Sequence, residues 1–327
     1  MYCIDSSNEL QLTVKQKVMD LDIHDLACRY QFSYSAIELH GIMALYMERL
    51  QWFMIFLIFI PNLIIIISLY ASSKKLFFQE KLVMLLSVVD LSVAIILTPL
   101  KIHVTANFNN LKCLQIATVA FWHLFPTMIS SFVVIVISVE RYFTVVHNKI
   151  WHKIKIKNIY FMYVLFLLSI GSFALSLWFA LAIEMNLFSN LPYIYSSIGF
   201  VTLFYLIFAV LTNILLLIGT KKILKSSDIN VQRNIMVGKK LNKTIMLISI
   251  ALVVLYLPSV VAMAILVASM KTGFGLLAKI SRILLSWSLL FSQTNSMINS
   301  LIYIFRSQKI LNYLRIQLVN IFRKRCT

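Results

Sequence analysis

Acidic residues are scarce. Twelve Asp and Glu stand in 327 residues against 30 Lys and Arg, and charged residues of all types make up 13% of the chain. A soluble domain carries about a quarter charged residues, so there is too little charge here to cover a water-exposed surface. Glycine and proline are also few, seven and five. That excludes collagen-like and low-complexity disordered chains. Four cysteines are too few for a disulfide-dense secreted scaffold. What is present is apolar: 60% of the residues, with a mean hydropathy of +0.87. A net charge of +18 alone would suit a nucleic-acid binder, but such a protein is not also this apolar. No nucleic-acid partner is therefore expected. The composition leaves an integral membrane protein with basic loops.

A helix needs about 20 mostly apolar residues to cross about 30 Å of hydrocarbon. Seven such runs occur, over residues 50–71, 81–103, 114–141, 159–183, 191–221, 242–269 and 276–303. A barrel strand would be about ten residues of alternating polarity. These runs are far longer and apolar on all sides, so they are expected to be helices. The connections between them are short, and neither an internal repeat nor a Pro/Gly/Ser-rich linker divides the chain. The expected fold is an all-α membrane protein, a seven-transmembrane helix bundle spanning 50–303. An extracellular segment, 1–49, precedes it. It has no apolar core of the kind a cleaved leader carries, so the first span is expected to act as its own targeting signal. A cytosolic segment, 304–327, follows. Within it Ile310, Leu311, Leu314, Leu318 and Ile321 recur at helical spacing among basic residues, the pattern of a short amphipathic helix lying on membrane lipid.

Orientation follows from the basic residues. Twenty-one of the 30 fall in the loops after the first, third and fifth spans and in the tail. The other nine, Lys101 and Lys112 among them, fall on the opposite side, with seven of the acidic residues in the N-terminal segment. The N-terminus is expected outside and the tail in the cytosol.

Ionisable and strongly polar side chains inside hydrocarbon are costly and usually functional. Here they are Asn62 in the first span, Asp90 midway along the second, and His123 and the pair Glu140–Arg141 on the third. Glu184 ends the fourth, and the seventh carries Gln293, Asn295, Ser296 and Asn299. His123 lies about 27 Å from Arg141 at 1.5 Å per residue, with Thr127 and Ser130 between them on roughly one face. Asn295, Asn299 and Tyr303 repeat every fourth residue and share a face. Asp90, Ser130 and the seventh-span stripe all fall near mid-membrane, where a lone carboxylate needs partners.

In this order, these residues resemble those of rhodopsin-like (class A) G-protein-coupled receptors. Ser87-Val88-Val89-Asp90-Leu91 is similar to their second-helix Asp motif, and Glu140-Arg141-Tyr142 to their E/D-R-Y motif. The segment from Asn295 to Tyr303 resembles N-P-x-x-Y with Ser300 in place of Pro. Asn62 matches the first-helix Asn. Leu257-Pro258 resembles the sixth-helix Pro motif, with Tyr256 where Trp is usual. Each motif is weak alone; five in order on the matching spans are not. The short second outer loop, the fifth span without an internal Pro, and Tyr303-Ile304-Phe305-Arg306 are similar to the melanocortin, cannabinoid and lysophospholipid receptor branch.

The resemblance implies a plasma-membrane receptor that binds an extracellular small-molecule, lipid or peptide ligand. It also implies coupling to a heterotrimeric G protein, with arrestin as a further partner. Arg141 would engage the G protein when the sixth helix swings out, Glu140 would hold it at rest, and Tyr142, Asn299, Tyr303, Tyr256 and Pro258 would complete the switch. Pro258 lacks an N–H and supplies the hinge. Asp90, Ser130, Asn295, Ser296 and Asn299 would line a pocket that in relatives holds Na⁺, here chiefly at Asp90 and Ser130; no other cofactor is implied.

By position, His123, Leu124, Thr127, Tyr256, Ser259, Met263, Leu289 and Gln293 would line the ligand cavity. Amine receptors have an Asp where His123 stands, and opsins a retinal-binding Lys where Gln293 stands, so neither an amine nor retinal is expected. The usual disulfide to the second outer loop has no second cysteine here. Cys113 is left to bridge to Cys28 or Cys3, or to stay a thiol, and Cys326 suits palmitoylation.

Lys239, Lys240 and Lys243 stand where the family often has an acid opposite Arg141. With no charge latch there, appreciable basal signalling is expected, measured as receptor-dependent G-protein activation above mock-transfected cells. Ser300 and Tyr256 leave a non-signalling receptor-like protein as one alternative. A seven-span transporter is another, disfavoured by the lack of repeats and by Asp90 being the one clear mid-membrane carboxylate. No metal cluster or nucleophile–base grouping points to an enzyme.

Overall fold

The computed structural model describes residues 42–72, 76–106, 112–146, 157–185, 191–224, 229–272 and 275–325. Among them every regular element is helical, and no strand occurs. In chain order the elements are α1 (Ile42–Ser72), α2 (Phe78–Ser92), a π-helical turn (Val93–Leu97), α3 (Thr98–Ala106), α4 (Cys113–Val146), α5 (Lys157–Glu184), α6 (Leu191–Leu224), α7 (Ile229–Thr272), α8 (Gly275–Arg306) and α9 (Gln308–Arg325).

Six stretches among the described residues are long and apolar enough to cross a membrane: Arg49–Ala71, Phe78–Val104, Cys113–Thr144, Ile159–Glu184, Pro192–Gly219 and Ile250–Met270. The run expected as a seventh span, 276–303, lies within α8, a helix 32 residues long that is not among these six. Ser292, Gln293, Asn295, Ser296, Asn299 and Ser300 are all buried, so this helix turns a polar stripe inward.

The helices close into a ring. α1 packs on α2 and α8, α2 on α4, α4 on α5 and α6, α6 on α7, and α7 on α8. α4 is the axis, touching α2, α5, α6 and α7. One core layer joins Leu82, Leu86, Val133, Val134, Ile137, Leu206, Leu252 and Ile302. A second gathers Ile116, Ala117, Leu124, Ile183, Ile194 and Leu266. The outward faces are the reverse of a soluble protein: Phe56, Phe166, Phe200, Phe204, Ile218 and Val254 are exposed. A surface of this kind belongs against lipid.

Hydroxyls inside the apolar helices are satisfied locally. Ser131, Ser138, Ser172 and Ser176 each donate to the carbonyl four residues back at 2.7–2.9 Å, which costs the helix little.

The second span is not the uninterrupted helix its hydropathy suggests. Pro99 has no N–H to give and its ring crowds the preceding turn. The chain widens into the π turn just before it, where the Thr98 backbone N–H and Oγ1 both reach the Val93 carbonyl, the hydroxyl at 2.8 Å. Such turns often mark functional sites.

The amphipathic tail helix is present as α9. Ser307 caps it: its Oγ accepts the Ile310 N–H at 3.4 Å. Ile310 is buried with Ile65, Leu69 and Ile304. Lys309 Nζ pairs with Glu80 Oε1 at 2.7 Å and sits 6.0 Å over the Phe77 ring, tying α9 to the start of α2. Ile316 and Val319 are exposed.

Candidate functional site

Several of the polar residues expected near mid-membrane lie together. Asp90 is fully buried and its Oδ1 accepts the Ser296 hydroxyl at 2.8 Å. Ser130 and Asn299 face the same carboxyl. Asn62 Nδ2 donates to the Ile58 carbonyl at 2.8 Å and to that of Ser296 at 3.4 Å, so α1 joins α2, α4 and α8 here. Ser300 gives its hydroxyl back to the Met297 carbonyl at 2.8 Å. The helix therefore runs on without the break a proline would impose.

The cluster is under-satisfied. Among the described residues, Asp90 Oδ2, Ser130 Oγ, Asn62 Oδ1 and the amide atoms of Asn295 and Asn299 are buried without a hydrogen-bond partner. Buried polar atoms are seldom left so. The donor set is carboxylate, hydroxyl and amide oxygen, which suits a hard cation such as Na⁺ and not a soft or transition metal.

At the other end of α4, Glu140 is buried. It accepts a short hydrogen bond from Gln79 Nε2 of α2 and another from Thr144 Oγ1 at 2.9 Å. Arg141 lies on the helix, with its side chain outside the described residues. Tyr142 stacks edge-on against Phe143, ring centroids 5.5 Å apart, and Tyr303 packs between two core layers.

Toward the other side, Tyr256 is buried and meets Tyr205 of α6 edge-on at 6.0 Å. Its hydroxyl lies toward Ser292, Ser131 and Thr127. Thr127 and Ser292 hydroxyls are 3.4 Å apart. Ser259 and Leu124 are buried, Met263 and Pro258 half-buried. Gln293 is fully buried and its Nε2 donates to Thr98 Oγ1 at 3.2 Å. The His123 Nε2 is buried without a hydrogen-bond partner among the described residues. The Leu289 side chain lies outside the described residues.

Cys113, the first residue of α4, is buried and forms a disulfide. Its partner is outside the described residues, as are Cys3, Cys28 and Cys326.

Two residues of this region were not expected. Lys101, counted from sequence only among the charges near the outer end of the second span, is buried within α3, 8% exposed, and acts electrostatically on His123. Its place three turns beyond Asp90 on the same helical face is the signal that would have found it. Gln79 had no sequence signal as the partner of Glu140, since 61 residues separate them.

Comparison with known proteins finds no matching family model and no significantly similar curated protein.

Proposed function

We propose that the protein is a rhodopsin-like receptor. In this reading it lies in the plasma membrane with seven crossings, α8 being the seventh, and with its N-terminus outside. It binds an extracellular ligand and activates a heterotrimeric G protein when the intracellular end of α7 moves outward about Pro258. The observation that carries the reading is the Asp90 cluster. One buried carboxylate gathers side chains from four helices, and its remaining atoms have more hydrogen-bonding capacity than the cluster itself uses. In this reading the hub has two packings, and a ligand or a cytosolic partner that prefers one of them biases the other end.

Asp90, Ser130, Asn295 and Asn299 would hold Na⁺, which supplies a counter-charge to the carboxylate and favours the resting packing. A ligand that binds better to the other packing shifts the population by its differential affinity, and the cytosolic partner reads the shift at Arg141. Glu140 is the resting clasp. With Gln79 and Thr144 on its oxygens, its position is fixed by α2 as well as by its own helix.

Receptor-dependent nucleotide exchange on a G protein tests the reading. In the same assay Gln79→Leu is expected to raise basal activity about tenfold or more, because a hydrogen bond to a charged acceptor is worth roughly 1.5–3 kcal/mol. Unchanged or lower basal exchange at equal surface expression would show that Gln79 does not hold the resting state.

A further inference from the structure

At the Glu140 end of the bundle, the first turn of α2 joins three other helices. The Phe78 ring meets Phe161 of α5, centroids 6.0 Å apart. Gln79 Nε2 donates to Glu140 of α4. Glu80 Oε1 takes Lys309 of α9 at 2.7 Å. The other oxygen of Glu80, Oε2, accepts the Phe77 backbone N–H at 3.0 Å. One carboxylate therefore closes the start of α2 and holds α9, and the residue beside it holds α4. Val83 and Met84 of α2 and Leu314 of α9 pack against the cluster around Ile310, so α9 lies against α2 beyond the ion pair.

We propose that α9 is a built-in inhibitory element: docked through Lys309, it keeps the first turn of α2 in the form that holds Gln79 on Glu140. As a coupling of α9 to α4 this needs only the contacts above; as inhibition it rests on the receptor reading of Glu140. The physical link is the helix start. The N–H groups of a first turn have no partner inside the helix, and helix ends fray. Glu80 supplies the cap at Phe77, as an acid at the third helical position does. Lys309 fixes where that carboxylate points. With α9 withdrawn, Glu80, 20% exposed, turns toward water and the first turn loosens. Gln79, at the second position of that turn, then loses its bearing on Glu140.

The strength of the contact suits a regulator. An ion pair part-open to solvent changes an equilibrium by a factor of about 1.5 to 5, enough to bias the clasp and weak enough to be undone. α9 is seated by its first turn, where Ile310 is buried, whereas Ile316 and Val319 further along are exposed. Lys309 stands at the seated end, where a movement of the exposed part reaches Glu80.

Full-length solubilised protein is taken through a double-substitution cycle in Gln79→Leu and Lys309→Met, read first as the thermal midpoint. Gln79→Leu alone is expected to lower the midpoint by about 3–6 °C, the range for a hydrogen bond to a charged acceptor. In Lys309→Met that drop is expected to shrink by half or more, and in Lys309→Arg, which keeps the charge, to stay whole. Lys309→Gln serves as a second variant should Lys309→Met fail to fold. An undiminished drop, the additive result for independent sites, overturns the coupling, and a drop that shrinks equally in Lys309→Arg overturns the link through Glu80. Read next as basal nucleotide exchange in nanodiscs, Lys309→Met is expected to raise the rate about 1.5- to 5-fold and to add little to Gln79→Leu. No rise, or an equal rise in both backgrounds, overturns the inhibition. The thermal cycle uses no G protein, so failure of the coupling and failure of the receptor reading are told apart.

Discussion

Asp90→Leu is expected to lower the thermal midpoint of the solubilised protein sharply, whereas Asp90→Asn is expected to leave it unchanged or raise it. Leucine removes the acceptor of the Ser296 hydroxyl and turns an apolar branch toward Ser130 and Asn299, which face the carboxyl. Each buried polar group deprived of its partner costs about 1–3 kcal/mol. The loss is therefore about 2–5 kcal/mol, on the order of 5–10 °C for a chain of this size. Asparagine keeps an acceptor oxygen for Ser296 and removes the burden of a buried charge.

The two variants also separate a structural hub from a cation site. At ten times its dissociation constant, Na⁺ adds about 1.4 kcal/mol to the state that binds it. Wild-type protein is expected to unfold at a higher temperature in NaCl than in choline chloride, and Asp90→Asn to show no difference. A salt effect that survives Asp90→Asn would place the ion elsewhere.

Arg141→Ala is expected to abolish signalling without disturbing the fold. An arginine beside a buried carboxylate often cannot be removed cheaply, because the acid is left without a partner. Here Glu140 already accepts hydrogen bonds from Gln79 and Thr144, so the carboxylate stays solvated by the protein when the guanidinium goes. Exchange activity should fall to the level of receptor-free membranes, at least about tenfold, equivalent to about 1.4 kcal/mol or more of lost transition-state stabilisation. Surface expression and ligand binding should change little. Expression that collapses with activity would mean that Arg141 acts in folding.

Much of this arrangement is legible in the sequence because lipid leaves few options. Backbone groups must be satisfied internally, so long apolar runs become helices, and mid-membrane polar residues must find one another. Asp90, Ser130 and Asn299 could be grouped from depth and face; Ser296, which bonds Asp90 and lies off that stripe, entered only through the receptor resemblance. The illegible parts depend on tertiary geometry. Pro99 signals a local defect, but that the chain answers with a π turn at Val93–Leu97 depends on packing against α1 and α4. Lys101 counts as a loop charge in a positive-inside tally, and only its burial shows that it faces the bundle. The Gln79–Glu140 and Glu80–Lys309 pairs join positions 61 and 229 residues apart, for which no periodicity gives warning. α8 carries the polar stripe and is less apolar on average than α1, α5 and α6.

Nucleotide exchange is the most direct test of a receptor that activates a G protein. Full-length protein in nanodiscs, incubated with purified heterotrimeric G proteins of each main class, is predicted to accelerate guanine-nucleotide release severalfold over empty nanodiscs for at least one class, and Arg141→Ala to remove that acceleration. Release at the empty-nanodisc rate for every class, or equal acceleration by the Arg141→Ala protein, would contradict it.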